Sequence, residues 1–164
     1  MPVMGRAYLS LGSNLGDRME ALNRAMALIG QRCGTIVTKS SVYETAAWGL
    51  ADQPAFLNMA IGVDTPDLPV DLMARLLAIE TTLGRKRMEQ WGPRTIDIDI
   101  LFYDDMVLDL PNLTIPHPYL QDRRFVLAPM NEIAPGLIHP VFKNTISELL
   151  RLCPDKLAVI KYMN

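Results

Sequence analysis

With only Cys33 and Cys153 in 164 residues, and no CxxC spacing or His-rich neighbourhood around either, the chain has neither the ligands of a zinc cluster nor the spacing of a disulfide framework. Both thiols read as small apolar core residues. No apolar run approaches the ~18 residues of a membrane span, and Met1 to Gly12 lacks the charged-then-apolar order of a leader, so the expected address is the cytoplasm with no membrane partner. Excess positive charge is missing too. The 16 Lys and Arg against 18 Asp and Glu leave a formal charge of −2 and no broad cationic field, which argues against nucleic acid as a partner. Any anionic ligand must then be held by charge gathered locally. The usual phosphate fingerprints are also absent. Gly12-Ser13-Asn14-Leu15-Gly16-Asp17-Arg18 lacks both GxxxxGK[ST] and the full dinucleotide pattern, and reads as a strand-to-helix turn capped by Asn14 or Asp17.

What is present suits one domain spanning residues 1–164, since 49% hydrophobic content at this length can bury a true core but not two. Arg6 to Leu11 alternates as a strand, and Met19, Leu22, Met26 and Ile29 follow at helical spacing. The β-branched stretch Thr35 to Thr45 and the run Phe56 to Val63 predict two further strands. Pro69 opens a second helix carrying Leu72, Leu76, Ile79 and Leu83, and Gly84 stands where a helix C-terminus is expected. Thr95 to Tyr103 alternates again as a strand. The order βαββαβ predicts an α+β, ferredoxin-like fold, with an antiparallel sheet backed by two helices on one face. A C-terminal extension from Val107, ending in a helix over about Thr145 to Leu152, is expected to cover part of the other face.

Within the last strand, period-two alternation sends Asp97 and Asp99 to one face while Ile96, Ile98 and Ile100 take the other. Adjacent carboxylates repel, and a hard divalent cation such as Mg2+ relieves the repulsion by combining them with waters and phosphate oxygens. A bare DxD is as consistent with a solvated strand face. The neighbourhood changes that balance, because Arg85, Lys86, Arg87 and Arg94 lie just upstream, and guanidinium groups pair with phosphate. His117, held between Pro116 and Pro118 and followed by Arg123, is a candidate phosphate contact that can carry charge near neutral pH when close to phosphate. In a chain with 7% aromatic residues, Phe56, Trp91 and Phe125 adjoin loops or polar motifs, so they are candidates for holding a flat heterocycle whose edge Thr45 and Asn58 read. Each ring alone is as consistent with core packing.

Four blocks carry a resemblance: LGSNLGDR, YET followed by DQPAFLN, QWGPRTIDIDILF, and LTIPHPYLQDRRFVLAPMNEIAP. Together they resemble the 6-hydroxymethyl-7,8-dihydropterin pyrophosphokinases over nearly the whole chain. The resemblance implies a monomeric enzyme in folate synthesis, with ATP as co-substrate, two Mg2+ ions, and the hydroxymethyldihydropterin as acceptor. The acceptor hydroxyl attacks the β-phosphorus and AMP leaves. It further implies metal binding by Asp97 and Asp99, and pterin binding by Thr45, Phe56, Asn58, Trp91 and Phe125. Glu80, Arg87, His117 and Arg123 are implied to handle ATP, while Arg85 and Arg94 stabilise developing charge. The segments 46–53 and 85–92 are expected to close over the bound substrates. Phe56, Leu77, Asn112 and Pro118 depart from the family's pattern, which carries Tyr, a polar residue, Arg and Tyr there. Two rivals remain at this stage: a two-metal nucleotidyltransferase, and a ferredoxin-like binding module without catalysis.

Overall fold

The computed structural model describes residues 3–45, 55–84 and 95–162. In chain order these residues form β1 (Gly5–Ser13), α1 (Arg18–Arg32), β2 (Thr35–Lys39), β3 (Tyr43–Thr45), β4 (Phe56–Thr65), α2 (Pro69–Thr82) and β5 (Asp97–Tyr103). They continue with β6 (Leu108–Leu110), β7 (Leu113–Ile115), α3 (Arg124–Ile133), α4 (Ile146–Leu152) and β8 (Val159–Lys161). The main sheet runs β5-β1-β4-β3-β8, with β2 also on β4, and every pairing is antiparallel. This is the expected ferredoxin-like arrangement, lengthened at one edge by β8.

Strand alternation divides the sheet chemically. Leu9 and Leu11 of β1, Leu57, Met59 and Ile61 of β4, and Ile98 and Ile100 of β5 point to one face and pack with Leu22 and Ile29 of α1 and Leu72, Leu76 and Ile79 of α2. The opposite face buries Ala60, Leu101 and Phe102 under Val126, Leu127 and Met130 of α3 and Ile146 and Leu149 of α4. The extension therefore covers part of the second face, as expected.

Three departures from the expected elements have local causes. Thr35 to Thr45 breaks into β2 and β3 because the Ser40 hydroxyl enters the ladder: Ala60 N–H donates to Ser40 Oγ at 2.9 Å, in addition to Ser40 N–H donating to the Ala60 carbonyl. The apolar FVLAPM stretch is helical despite Pro129, since burial of Val126, Leu127 and Met130 outweighs one lost helix bond. β8 has no signal beyond a short apolar run, and its place depends on pairing with β3. Thr145 caps α4 through a reciprocal box with Glu148, which agrees with the expected start of that helix. Both cysteines are buried and unbridged, as expected.

α3 is tied to the sheet by one carboxylate. Glu132 accepts from the Tyr43 hydroxyl at 2.6 Å, from Ser41 N–H at 2.9 Å and from the Ser41 hydroxyl at 3.0 Å. Partial burial acts to raise the Glu132 pKa, but the bonds from Tyr43 and Ser41 more than offset it and hold the carboxyl below its ordinary value of 4.5. A folded-state pKa below the unfolded one gives stability that is present above pH 4.5 and lost as pH falls through the folded value. Glu132→Gln should therefore lower the urea midpoint at pH 7. The gap from the unsubstituted protein should narrow as the pH is taken from 5 toward 3.

Candidate active site

The candidate site lies at the end of the second sheet face that α3 leaves uncovered, and strand register places its residues. Asp97 pairs with Gly12, Gly12 with Asn58, and Asn58 with Tyr43, so these four form one row across β5, β1, β4 and β3. Asp99 pairs with Ser10 in the next row inward, and Thr45 pairs with Phe56 in the next row outward. Alternation puts Asp97, Asp99, Phe56, Asn58 and Thr45 on this face, as the sequence predicts.

Further along β5 the alternation changes. Leu9 pairs with Ile100 but Tyr8 with Phe102, so Leu101 is an extra residue, and both Leu101 and Phe102 turn to the α3 side. The bulge converts the strand from acidic at its start to apolar where α3 covers it. It also fixes His117, whose N–H donates to the Leu101 carbonyl at 3.0 Å. The His117 Nδ1 accepts from Tyr119 N–H at 3.2 Å, leaving the proton of the neutral ring on Nε2. Burial pushes the His117 pKa down to about 4, with the Arg123 charge adding to this and Asp97 opposing it. Burial and Arg123 therefore favour the neutral ring, whereas the charge expected of His117 is for a ring beside phosphate. Arg123 lies over the rings of Tyr119 and Phe125, 5.3 and 5.8 Å from their centroids, which joins the nucleotide candidates to one aromatic candidate.

Glu80 takes a place that spacing does not reveal. It is 3% exposed, projects from α2 on the helix-backed side of the sheet, and its Oε2 accepts from Ile98 N–H at 2.7 Å. Glu80 thus grips the backbone between Asp97 and Asp99. Arg85, Arg87, Trp91 and Arg94, and the two segments expected to close, lie outside the described residues.

Two polar atoms are buried without a partner where a ligand edge is expected: Thr45 Oγ1 and Asn58 Nδ2, in residues 3% and 4% exposed. Ser13 Oγ and Asn131 Oδ1 share that condition. Gly12 is a site residue that sequence reasoning assigned only to the turn. A Cβ there would lie 2.8 Å from Asn58 Oδ1, so the missing side chain lets the Asn58 amide lie across β1. A further concavity lies away from this row. A groove of about 770 Å3, lined by Arg18, Met19, Asn23, Leu57 and Tyr162, lies along the start of α1, and the register argument outweighs its size.

The family model for 7,8-dihydro-6-hydroxymethylpterin-pyrophosphokinase (HPPK) matches residues 8–135. The chain belongs to this family. It is 41% identical to the 2-amino-4-hydroxy-6-hydroxymethyldihydropteridine pyrophosphokinase of Aquifex aeolicus, covering 88% of this chain and 90% of that one. It is 47% identical to the enzyme of the same name from Bacillus subtilis, covering 77% of each. Among solved structures, the wild-type HPPK-DHPS of Plasmodium falciparum with pteroate superposes with a TM-score of 0.76 at 19% identity over 92% of this chain. The present chain spans 42% of that longer protein, and the likeness bears on fold alone. The family activity is pyrophosphoryl transfer from ATP to hydroxymethyldihydropterin in folate synthesis.

Removing the Glu80 carboxylate leaves the buried Ile98 N–H without its acceptor. Glu80→Ala should lower the unfolding free energy by about 1–3 kcal/mol. It should also speed amide exchange at Ile98 more than at Leu11, read by native-state hydrogen exchange.

Proposed function

We propose that the transfer takes place on the uncovered end of the sheet, with the dihydropterin between Phe56 and Phe125 and its polar edge read by Thr45 and Asn58. The observation that carries this reading is the pair of buried, unpartnered atoms Thr45 Oγ1 and Asn58 Nδ2 on neighbouring strands beside Phe56. Each such group costs about 1–3 kcal/mol when left unsatisfied. A flat heterocycle with ring nitrogens and exocyclic donors satisfies both, so recognition draws on a deficit built into the pocket.

Asp97 lies in the same row as Asn58 with only Gly12 between them, so their backbones stand about 10 Å apart, two strand spacings. A pterin edge held at Asn58 therefore directs its hydroxymethyl arm toward the acids. Asp97 and Asp99 would hold Mg2+, in two ions with ATP as the co-substrate. They fit a hard cation, being half-buried oxygen donors on one face. No group of three or more His, Cys, Asp or Glu among the described residues is arranged to complete a shell, so phosphate and water oxygens would do so. When bound, the ions supply neutralisation of the polyphosphate charge.

The chain's own residues position the reactants. The His117 Nε2–H donates to a phosphate oxygen, and Arg123 brings a charge beside it. Glu80 serves the nucleotide side through its hold on the strand of the acid pair. Arg85, Arg87 and Arg94, supported by sequence alone, pair with the phosphates, and Arg85 and Arg94 stabilise charge as AMP departs. Trp91 covers the pterin. The chain acts as one domain, as a monomer, in the cytoplasm. No helix among the described residues is long and apolar enough to cross a membrane.

Incubation with 6-hydroxymethyl-7,8-dihydropterin, ATP and Mg2+ should give AMP and the pterin diphosphate; ADP would refute pyrophosphoryl transfer, and free pyrophosphate would indicate nucleotidyl transfer. Asp97→Ala should lower kcat by on the order of 10²–10³ or more with an unchanged circular dichroism spectrum. Gly12→Ala, whose Cβ displaces the Asn58 amide, should raise the pterin KM about tenfold, the worth of one hydrogen bond, and leave the ATP KM alone.

A further inference from the structure

We infer that Arg18 is a positioning residue for the pterin pocket, acting from the opposite face of the sheet by tying together the two backbone segments that carry Thr45 and Phe56. One guanidinium makes the tie. Arg18 Nη1 donates to Glu44 Oε2 at 2.9 Å and to the Ala55 carbonyl at 2.8 Å. Glu44 directly precedes Thr45 and Ala55 directly precedes Phe56, so the two bonds grip the chain on either side of the segment 46–54. Alternation turns Glu44 away from Tyr43 and Thr45, toward the face on which α1 packs. Arg18 therefore acts on the pocket through the backbone and touches no part of its surface.

The surroundings explain why such a tie is needed. β3 and β8 are three residues each, so the ladder at this edge has few bonds to hold Thr45 against Phe56. The guanidinium also lies over the Tyr162 ring, 5.6 Å from its centroid, while Tyr162 N–H donates to the Val42 carbonyl at 2.8 Å. Glu44, Ala55 and the C-terminal end of β8 thus converge on one side chain. Its direction is set locally: Gly16 takes a φ of +70°, Asp17 caps α1 by accepting from Glu20 N–H at 3.0 Å, and Arg18 is the first helical residue. The strand-to-helix turn, which lacks a phosphate-loop motif, thus aims a cation at the stems of the pocket.

The inference rests on the assignment of Thr45, Phe56 and Asn58 to the pterin, and its test separates the two. Steady-state kinetics with pterin and ATP varied independently should be run on the unsubstituted enzyme, Arg18→Met, Arg18→Lys, Glu44→Gln and Asn58→Ala. Arg18→Met should raise the pterin KM about tenfold, with kcat and the ATP KM within about twofold. Arg18→Lys, which keeps a charged donor but loses the planar group over Tyr162, should fall between, and Glu44→Gln should shift in the same direction as Arg18→Met by a smaller factor. A pterin KM unchanged in both Arg18→Met and Glu44→Gln, alongside a raised one in Asn58→Ala, would overturn the clamp and leave the pocket standing. An unchanged pterin KM in Asn58→Ala would overturn both. Equal rises in the two KM values with a lowered melting temperature would reduce Arg18 to general stability and overturn the clamp. If Arg18→Met does not fold, Arg18→Lys and Glu44→Gln decide by the same KM comparison.

Discussion

The antiparallel pairing of β5 against β1 is the constraint on which the rest of the site depends. Ile96, Ile98 and Ile100 are 0–4% exposed in the core beneath α2, and because side chains alternate, their burial obliges Asp97 and Asp99 to face the other way. A slip of one residue would exchange three buried isoleucines for two carboxylates, so the core enforces the register of the acid pair far more strongly than any bond between the acids and their neighbours. Glu80 adds a second restraint at the same strand through the Ile98 amide. The bulge at Leu101 then ends the polar stretch, handing β5 to α3 and binding His117 to the same backbone. The proposed metal ligands and nucleotide contact thus share one framework.

Much of this was legible from sequence because it is periodic. The isoleucine and aspartate alternation predicted both the strand and its two faces. The spacing of Leu22 and Ile29, and of Leu72, Leu76 and Ile79, predicted which helix sides are buried, as their near-zero exposure bears out. What was not legible depends on partners distant in the chain. Ser40 breaks a strand because its hydroxyl meets Ala60, Glu132 matters because it meets Tyr43 eighty-nine residues away, and Gly12 matters because Asn58 lies over it. None of these pairings leaves a local pattern. The burial of His117 was hidden for a related reason: its ordinary pKa is a property of the residue, but its lowering belongs to burial and to Arg123.

The pocket itself shows a division between stability and function. Thr45 and Asn58 keep buried polar atoms unpaired at a cost the fold must offset elsewhere, as do Ser13 and Asn131, whereas Ser40 and Tyr43 close by are well satisfied. Ser40, 6% exposed, both donates and accepts, and Tyr43, whose hydroxyl meets Glu132, has its pKa pushed up to about 12 by burial and that bond. Polar groups of β3 and of the turn before it therefore find partners, so the shortfall at Thr45 is not a general looseness of that strand.

Such a pocket has to be held open and in register by contacts that do not fill it, since a side chain satisfying Thr45 or Asn58 from within would compete with the ligand. The structure meets this by restraining the backbone from outside. Glu132 ties the front of β3 to α3, the helix whose first turn carries Phe125, and so couples the wall at Phe125 to the strand of Thr45. Arg18 ties the back of β3 to the residue before Phe56. The two ties approach β3 from opposite faces and grip adjacent stretches of it, Ser41 and Tyr43 on one side and Glu44 on the other. A three-residue strand restrained on both faces can carry a precisely oriented hydroxyl that its own ladder is too short to hold, and this frees the ligand-facing atoms to remain unpartnered.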